Sequence, residues 1–315
     1  RLPELSLSAY PASWLTARFG RFSLDWGTGY VFAPGNTLER RTFGESSTGI
    51  DGVSVSVIPG ASVTVGSAVS FLSAAVAAGD RPWENLTTTT WIDGFTGGLD
   101  WFAGFQYRYD LVTRPSVAIS FDLAGTILAA EAAVELSEPY TYPDAAYTFA
   151  IREDPAPIVA AALQRSVSGR KLSLSMMAEY LYTGLGYTAE EADRVYDLVL
   201  NGTIELPEPR PGTGVRGTAG PATGTAGTLG QPPLGRHYLA IDLSFDWYET
   251  MSATASGIIN LRDQSIGAVA ELSVVMLGAL DVYARGGVVW GDSRRTEFGL
   301  AGSAAEAAIG MRANF

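Results

Sequence analysis

Apolar and polar residues alternate along most of this chain. In the segment 239–247 every odd position is apolar, while the even positions hold only Ala, Asp and Ser. The last segment, 304–315, alternates in the same way and ends on Phe315. A period of two places successive side chains on opposite faces of a strand, so these segments predict β-strands with one apolar and one polar face.

The alternation predicts fifteen strands, fourteen of which form pairs joined by tight turns. They are 5–10, 15–26, 53–57, 62–71, 87–95, 101–110, 116–123, 127–136, 158–166, 171–182, 238–247, 251–262, 268–276, 280–290 and 304–315. The connections between pairs are mostly long: 27–51, 72–86, 137–157, 183–237 and 291–303, with short ones near Thr113 and Asp263. Such sorting of loop lengths predicts an all-β, transmembrane antiparallel β-barrel of about 14–16 strands, with tight periplasmic turns and long extracellular loops.

Two other folds are disfavoured by the same pattern. No charged residue occurs between Gly52 and Gly79, a length that would permit a spanning helix. Val alternates with Ser or Thr on both sides of Pro59-Gly60, however, which favours a β-hairpin. A soluble barrel of fifteen strands would enclose a space too wide for apolar side chains to fill. Lipid outside and polar side chains inside satisfy every strand and leave no sheet edge.

A single barrel domain is predicted over 1–315. Bacterial single-chain barrels are generally even-numbered, so we expect either a further strand before Arg1 or one miscounted segment, with 87–95 the first candidate. The loop 183–237 is predicted to begin with a short helix at 188–202 and to continue into a mobile stretch rich in Gly, Pro and Thr.

The predicted helix has a recognisable start and an apolar face. Thr188 and Glu191 have the spacing of a capping box, and Val195, Leu198 and Val199 share one face. By contrast, the composition of 209–235 cannot build a core.

Aromatic residues on the apolar parity gather near both ends of the predicted strands. Those near the long loops are Trp26, Tyr107, Tyr109, Tyr180, Tyr182 and Trp290, and those near the tight turns are Trp101, Trp247 and Phe315. Two aromatic belts around an aliphatic band are typical of proteins anchored at both membrane interfaces.

Two segments resemble sequences found in porin-like outer-membrane proteins of Gram-negative bacteria. The first is GRFSLDWGTGYVFAPGNTLER (20–40), and the second is EYLYTGLGYTAEE (179–191). The matching residues of the first are Gly20, Arg21, Trp26, Gly27, Gly29, Phe32, Pro34 and Asn36, whereas Phe22 stands where that family usually has Gln. The resemblance implies a porin-like outer-membrane β-barrel, and it names no substrate.

The apolar parity changes within the first of these segments. Leu15, Ala17 and Phe19 are odd, whereas Phe22 and Leu24 are even. A phase change predicts a β-bulge at Gly20-Arg21. Such a bulge would direct both Arg18 and Arg21 into the lumen, near Asp25.

Composition excludes several kinds of site. The formal net charge is -12, which argues against a nucleic-acid partner. The chain has no cysteine and one histidine, His237, so thiolate chemistry and multi-histidine metal sites are excluded. We expect no cofactor and no metal ion.

The alternate strand positions that hold polar residues predict a charged lumen. The acidic side chains assigned to it are Asp25, Asp110, Asp122, Glu131, Glu135, Glu179, Asp242, Asp246, Glu271, Asp281 and Glu306, and the basic ones are Arg18, Arg21, Arg108, Lys171, Arg262, Arg285 and Arg312. These charges either stabilise the wall as ion pairs or line a conduit with a modest cation preference.

The sequence therefore predicts a porin-like channel for passive diffusion or uptake of small polar solutes, not an enzyme. A structural or partner-binding barrel with a plugged lumen is the alternative. A barrel hydrolase rests on His237 alone, because Glu131 and Glu135 are about 13 Å apart along a strand. The expected partners are outer-membrane lipid and small solutes or ions, with a protein partner or a second copy left open.

Overall fold

The alternating segments form strands in the structure, a computed structural model. It describes residues 5–24, 28, 30–32, 34, 50–71, 86–108, 112–136, 141–143, 149–151, 154–201, 235–248, 250–276, 280–292, 295–300 and 304–313. The strands are β1 (Leu5–Ala12), β2 (Leu15–Phe22), β3 (Ile50–Gly60), β4 (Val63–Phe71), β5 (Leu86–Thr96), β6 (Leu99–Arg108), β7 (Val112–Leu123), β8 (Thr126–Glu135), β9 (Thr141–Pro143), β10 (Phe149–Ile151), β11 (Ala156–Ser168), β12 (Leu172–Thr183), β13 (His237–Trp247), β14 (Met251–Asn260), β15 (Ile266–Met276), β16 (Leu280–Trp290) and β17 (Ala304–Ala313). The helices are α1 (Ala189–Leu200) and α2 (Glu297–Leu300).

Fifteen of these strands form one antiparallel sheet. Its order follows the chain from β1 to β8 and from β11 to β17, and β9 pairs with β10 in a separate hairpin. Within the described residues, β1 and β17 are the two edge strands of the sheet. All fifteen predicted strands are confirmed, including β5 at the segment 87–95.

The connections also follow the prediction. Tight turns join β1 to β2, β3 to β4, and each later pair, as at Gly97-Gly98 and at Ala124-Gly125. The opposite ends of the strands carry the long connections, such as those between β2 and β3 and between β12 and β13. We call these two ends of the barrel the tight-turn end and the long-loop end.

Burial separates the two faces of the sheet. On β13, Ile241 and Leu243 are about two-fifths exposed, at 39% and 41%, whereas the neighbouring Ala240 is fully buried. On β12, Glu179 is buried at 0% exposure while Met176 and Tyr180 are exposed. The outward face is therefore apolar and the inward face holds the polar groups. This polarity is the reverse of that of a soluble barrel and requires lipid around the wall.

The aromatic side chains predicted for the two belts lie on the outward face wherever the structure describes them. Tyr107, Tyr180 and Trp290 are exposed near the long-loop end, and Trp247 is exposed near the tight-turn end. Trp26, Tyr109 and Phe315 lie outside the described residues.

A helix forms at the predicted place in the chain, as α1. The Thr188 amide donates to the Glu191 carboxylate over 2.7 Å, and the Glu191 amide donates to the Thr188 hydroxyl over 3.2 Å. Val195 and Leu198 are buried on its inner face, while the segment 209–234 is outside the described residues. None of the helices in the described ranges is long and apolar enough to cross a membrane.

The predicted bulge at Gly20-Arg21 is wrong. The register of β2 runs without a shift from Leu15 to Phe22 against β3. Gly20 absorbs the local distortion with a φ of 116°, a conformation that favours glycine. As a result Phe22 is buried on the inward face, and Arg21 lies on the outward face with Phe19.

Candidate functional site

Hydroxyl side chains form two rows across the inner wall in the half near the tight-turn end. In one row the register aligns Ser166, Ser175, Ser244, Thr254 and Glu271 from β11 to β15. In the next row it aligns Ser168, Ser173, Asp246, Ser252 and Ser273. The Ser166 hydroxyl donates to that of Ser175 over 3.0 Å. These hydroxyl rows give one side of the lumen a hydrogen-bonding surface that is mostly uncharged.

A few predicted lumen charges accompany these rows. Glu271 lies opposite Arg285 in the register, and Asp281 lies opposite Arg312. Asp242 accepts a hydrogen bond from the Ser256 hydroxyl over 2.5 Å, which fixes its carboxylate against the wall. The side chain of Arg312 lies outside the described part of the chain.

Other predicted residues occupy both ends of the wall. Asp246 is exposed, and Asp122 is exposed at a tight turn, where it accepts the Gly125 amide over 2.8 Å. Arg18 faces inward beside Ser54, and Arg108 faces inward opposite Thr87. Asp25 lies outside the described residues.

Arg21 does not line the lumen, contrary to the prediction. It lies opposite Asp51 in the register, on the outward face and near the long-loop end. Its guanidinium donates to both carboxylate oxygens of Asp51, over 2.9 and 2.6 Å. This ion pair belongs to the outer surface because β2 keeps its register through Gly20.

A segment after β2 binds the far wall of the barrel. We call its described residues Thr28, Tyr30, Val31, Phe32 and Pro34 the inserted segment. The Tyr30 and Val31 amides donate to Oε2 of Glu179 on β12 over 3.2 and 2.6 Å. The Thr28 amide donates to Oε2 of Glu131 on β8 over 3.1 Å. Carboxylates of the inner wall therefore hold this backbone.

The inserted segment must cross the barrel interior. In the sheet order β12 is eight strands beyond β2, which corresponds to roughly 38 Å along the wall. The nine Cα–Cα steps from Phe22 to Val31 span at most about 31 Å when fully extended. The connection is too short to follow the wall to Glu179, so the described residues Thr28, Tyr30 and Val31 lie inside the lumen, at the inward carboxylates.

Packing and an ion pair fix the rest of the inserted segment. Phe32 is 2% exposed in an apolar cluster that includes Ile158, Leu181 and Phe298. The Arg114 guanidinium donates to the Pro34 carbonyl over 3.0 Å and to Glu135 over 2.5 Å. Glu131, Glu135 and Glu179 thus face inward as predicted but are at most 2% exposed.

A second polar network joins α2 to the wall at the long-loop end. The Tyr238 hydroxyl and the Asn260 amide donate to Glu297 over 2.7 and 2.8 Å. The Glu297 amide in turn donates to Asp263 over 2.7 Å.

The same network reaches α1 through Tyr196, whose hydroxyl donates to Asp263 over 3.2 Å. Burial, and then the neighbouring Asp263 and Glu297 carboxylates, raise the pKa of Tyr196. The tyrosine therefore remains a hydrogen-bond donor at neutral pH. Both helices are fixed to the mouth by buried polar contacts.

The inner wall also carries aromatic residues, whereas the sequence predicted aromatic residues only for the outward face. Trp91 on β5 packs against the buried cluster of Phe22, Leu24, Ile50 and Ala68. It also packs against Phe102 on β6. The sequence contained a signal for this placement. Trp91 and Asp93 are both odd-numbered and share one face of β5, whereas Ile92 is even-numbered and faces outward.

His237 lies on the outward face at the start of β13, next to Tyr180 and Tyr182. The Tyr180 hydroxyl is 2.7 Å from Nδ1 of His237, and the Tyr182 ring centroid is 5.3 Å from the imidazole. These neighbours make His237 part of the aromatic belt. Within the described ranges, no group of three or more His, Cys, Asp or Glu side chains could hold a metal ion.

The fold is similar to solved outer-membrane porins of the Occ type. OccAB1 of Acinetobacter baumannii matches with a TM-score of 0.53 and 11% identity, over 95% of this chain and 73% of that one. OccK5 (OpdH) of Pseudomonas aeruginosa matches with 0.51 and 9%, over 98% and 80%, and OccK10 (OpdN) of the same species matches with 0.51 and 11%, over 95% and 80%. No protein-family model matches the chain, and no curated protein matches its sequence. At these identities the likeness concerns the fold, which is that of a porin-like outer-membrane β-barrel.

Proposed function

We propose that this barrel is an outer-membrane channel for passive diffusion or uptake of small polar solutes, with a weak cation preference. The observation that carries the proposal is the reversed polarity of the wall. An apolar outward face suits lipid, and an inward face with hydroxyl rows and carboxylates suits water and polar solutes.

The distribution of charge supports the cation preference. In the tight-turn halves of β5, β6 and β7 the inward positions include Asp93, Asp100 and Asp122, and the described parts of these halves contain no Lys or Arg. On the opposite wall Asp242 and Asp246 share the inward face of β13. Carboxylates along a narrow aqueous path favour cations by the sign of their field.

A structural barrel with a plugged lumen is the second candidate. The inserted segment favours it, because Phe32 and the carboxylates that hold the segment are buried rather than solvated. In that case the polar tight-turn half would be a closed vestibule. We regard the inserted segment as a constriction beside which solutes pass.

Single-channel recording in planar bilayers separates the two candidates. We expect discrete conductance steps from the purified, refolded chain. A protein that refolds with β-sheet circular dichroism but gives no steps would support the plugged barrel. A hydrolytic activity that is lost on His237→Ala would overturn the proposal that the chain is a channel and not an enzyme.

A further inference from the structure

We propose that the inner wall of β4–β6 carries a binding site for small organic cations, formed by the Trp91 ring and the Asp93 carboxylate. This inference rests on the proposed channel function and specifies a solute class. Its ligand is an ammonium group attached to an apolar body.

Two aromatic rings pack over glycines on this part of the wall. Gly66 on β4 is the register partner of Trp91, and a Cβ built there would overlap the six-membered ring of the indole. Gly104 on β6 lies opposite Trp91 on the other side, and a Cβ there would overlap the Phe102 ring. Glycine at both positions therefore leaves the space against the backbone that the two rings occupy.

Burial indicates which ring is accessible from the lumen. Phe102 is 7% exposed, whereas Trp91 is partly exposed. Trp91 lies in the middle of β5, between the buried apolar cluster toward the long-loop end and Asp93 toward the tight-turn end. The partly exposed indole is therefore within reach of a solute that enters from the tight-turn half.

A carboxylate stands beside the exposed ring. Asp93 is two residues from Trp91 on the same face, and it lies within hydrogen-bonding reach of the side chains of Trp91 and Thr64. Asp100 is exposed nearby, and its carboxylate is 3.4 Å from the Ser120 hydroxyl. The local field is therefore negative.

A buried hydroxyl lies on the other side of the ring. Thr89 lies two residues from Trp91 on the other side, on the same inward face, and it is 1% exposed. Its Oγ1 has no hydrogen-bond partner among the described residues. At this exposure the hydroxyl is closed to a solute in the lumen, so Trp91 and Asp93 alone form the site.

These groups select a ligand by their chemistry. The face of an indole attracts a cation through the ring quadrupole, most strongly when the cation is poorly hydrated. The neighbouring carboxylate adds a charge of the right sign, while the apolar rings accept a hydrocarbon body. Anions are disfavoured by Asp93, and sugars would use the rings without needing the carboxylate.

The test measures block of single-channel potassium current by benzyltrimethylammonium. We expect reversible, concentration-dependent block of the wild type. Trp91→Leu removes the quadrupole but keeps an apolar side chain, and it should weaken block by about 2- to 30-fold. Block of Trp91→Phe should be weaker than that of the wild type and stronger than that of Trp91→Leu. Asp93→Asn should also weaken block.

The matched control is Asp197→Asn, which removes an exposed carboxylate from α1 and not from the inward face of the wall, and it should leave block within about twofold of the wild type. Equal block in the wild type and in Trp91→Leu would overturn the site, as would stronger block by benzoate or by glucose. A channel that conducts without block refutes this inference alone. Absence of conductance steps refutes the proposed function itself.

Discussion

The amide of Val31 donates to Glu179 Oε2 over 2.6 Å, although 148 positions separate the two residues. The bond joins a segment that leaves β2 to a wall strand on the other side of the barrel. Glu179 accepts the Tyr30 amide with the same oxygen. One carboxylate thereby fixes the path of the backbone through the lumen.

Replacing that carboxylate should loosen the inserted segment. Glu179→Gln keeps the shape but makes both hydrogen bonds neutral, and neutral bonds are about half as strong as charge-assisted ones. We expect segment docking to weaken by about 1–3 kcal/mol, and single-channel currents to become noisier with larger open levels. Asp246→Asn is the control, since it removes an exposed carboxylate without touching the segment. Identical current noise in the two variants would contradict the role of Glu179.

The buried ion pair of Arg114 and Glu135 should matter more for stability than for conduction. Arg114→Met leaves the Glu135 carboxylate buried without its guanidinium, and breaking such a pair costs about 3–5 kcal/mol. The measurement is the temperature at which the folded band disappears in a heat-modifiability gel. That temperature should fall in Arg114→Met and recover in Arg114→Met with Glu135→Leu. A double variant no more stable than the single one would show that the ion pair itself is required.

Adjacent residues of β13 provide a test of the reversed polarity. Leu243 is 41% exposed on the outward face, and Ser244 lies in a hydroxyl row on the inward face. Leu243→Arg should destabilise the barrel by about 2–4 kcal/mol near the bilayer midplane, whereas Ser244→Arg should be tolerated in an aqueous lumen. Refolding yield into liposomes measures both variants. Better folding of Leu243→Arg than of Ser244→Arg would contradict the assignment of the faces.

Local patterns in the sequence were sufficient to predict the strands and α1. Each depends on neighbours: alternation defines a strand, and the Thr188–Glu191 capping box defines a helix start. The hairpin of β9 and β10 was not predicted because its strands have three residues each, too few to show a period.

Contacts between distant parts of the chain could not be predicted in the same way. The apolar character of Phe22 suggested a lipid-facing side chain, but Phe22 packs inside with the cluster that contacts Trp91. Because Phe22 was assigned to the lipid-facing side, the sequence predicted a bulge at Gly20-Arg21 that does not form, and it placed Arg21 in the lumen and not on the outward face. Glu131 and Glu179 were predicted to face inward, but only the folded chain brings backbone amides of the inserted segment to them.

The reversal potential across a potassium chloride gradient shows whether an acidic aqueous lumen conducts ions. Asp242 and Asp246 lie about 13 Å apart along the inward face of β13, and screening shortens their reach to about 10 Å at 0.1 M salt. The wild type should show cation selectivity at low salt that fades at high salt, and Asp242→Asn with Asp246→Asn should reduce it. An anion-selective wild type would show that these carboxylates do not set the selectivity of the lumen.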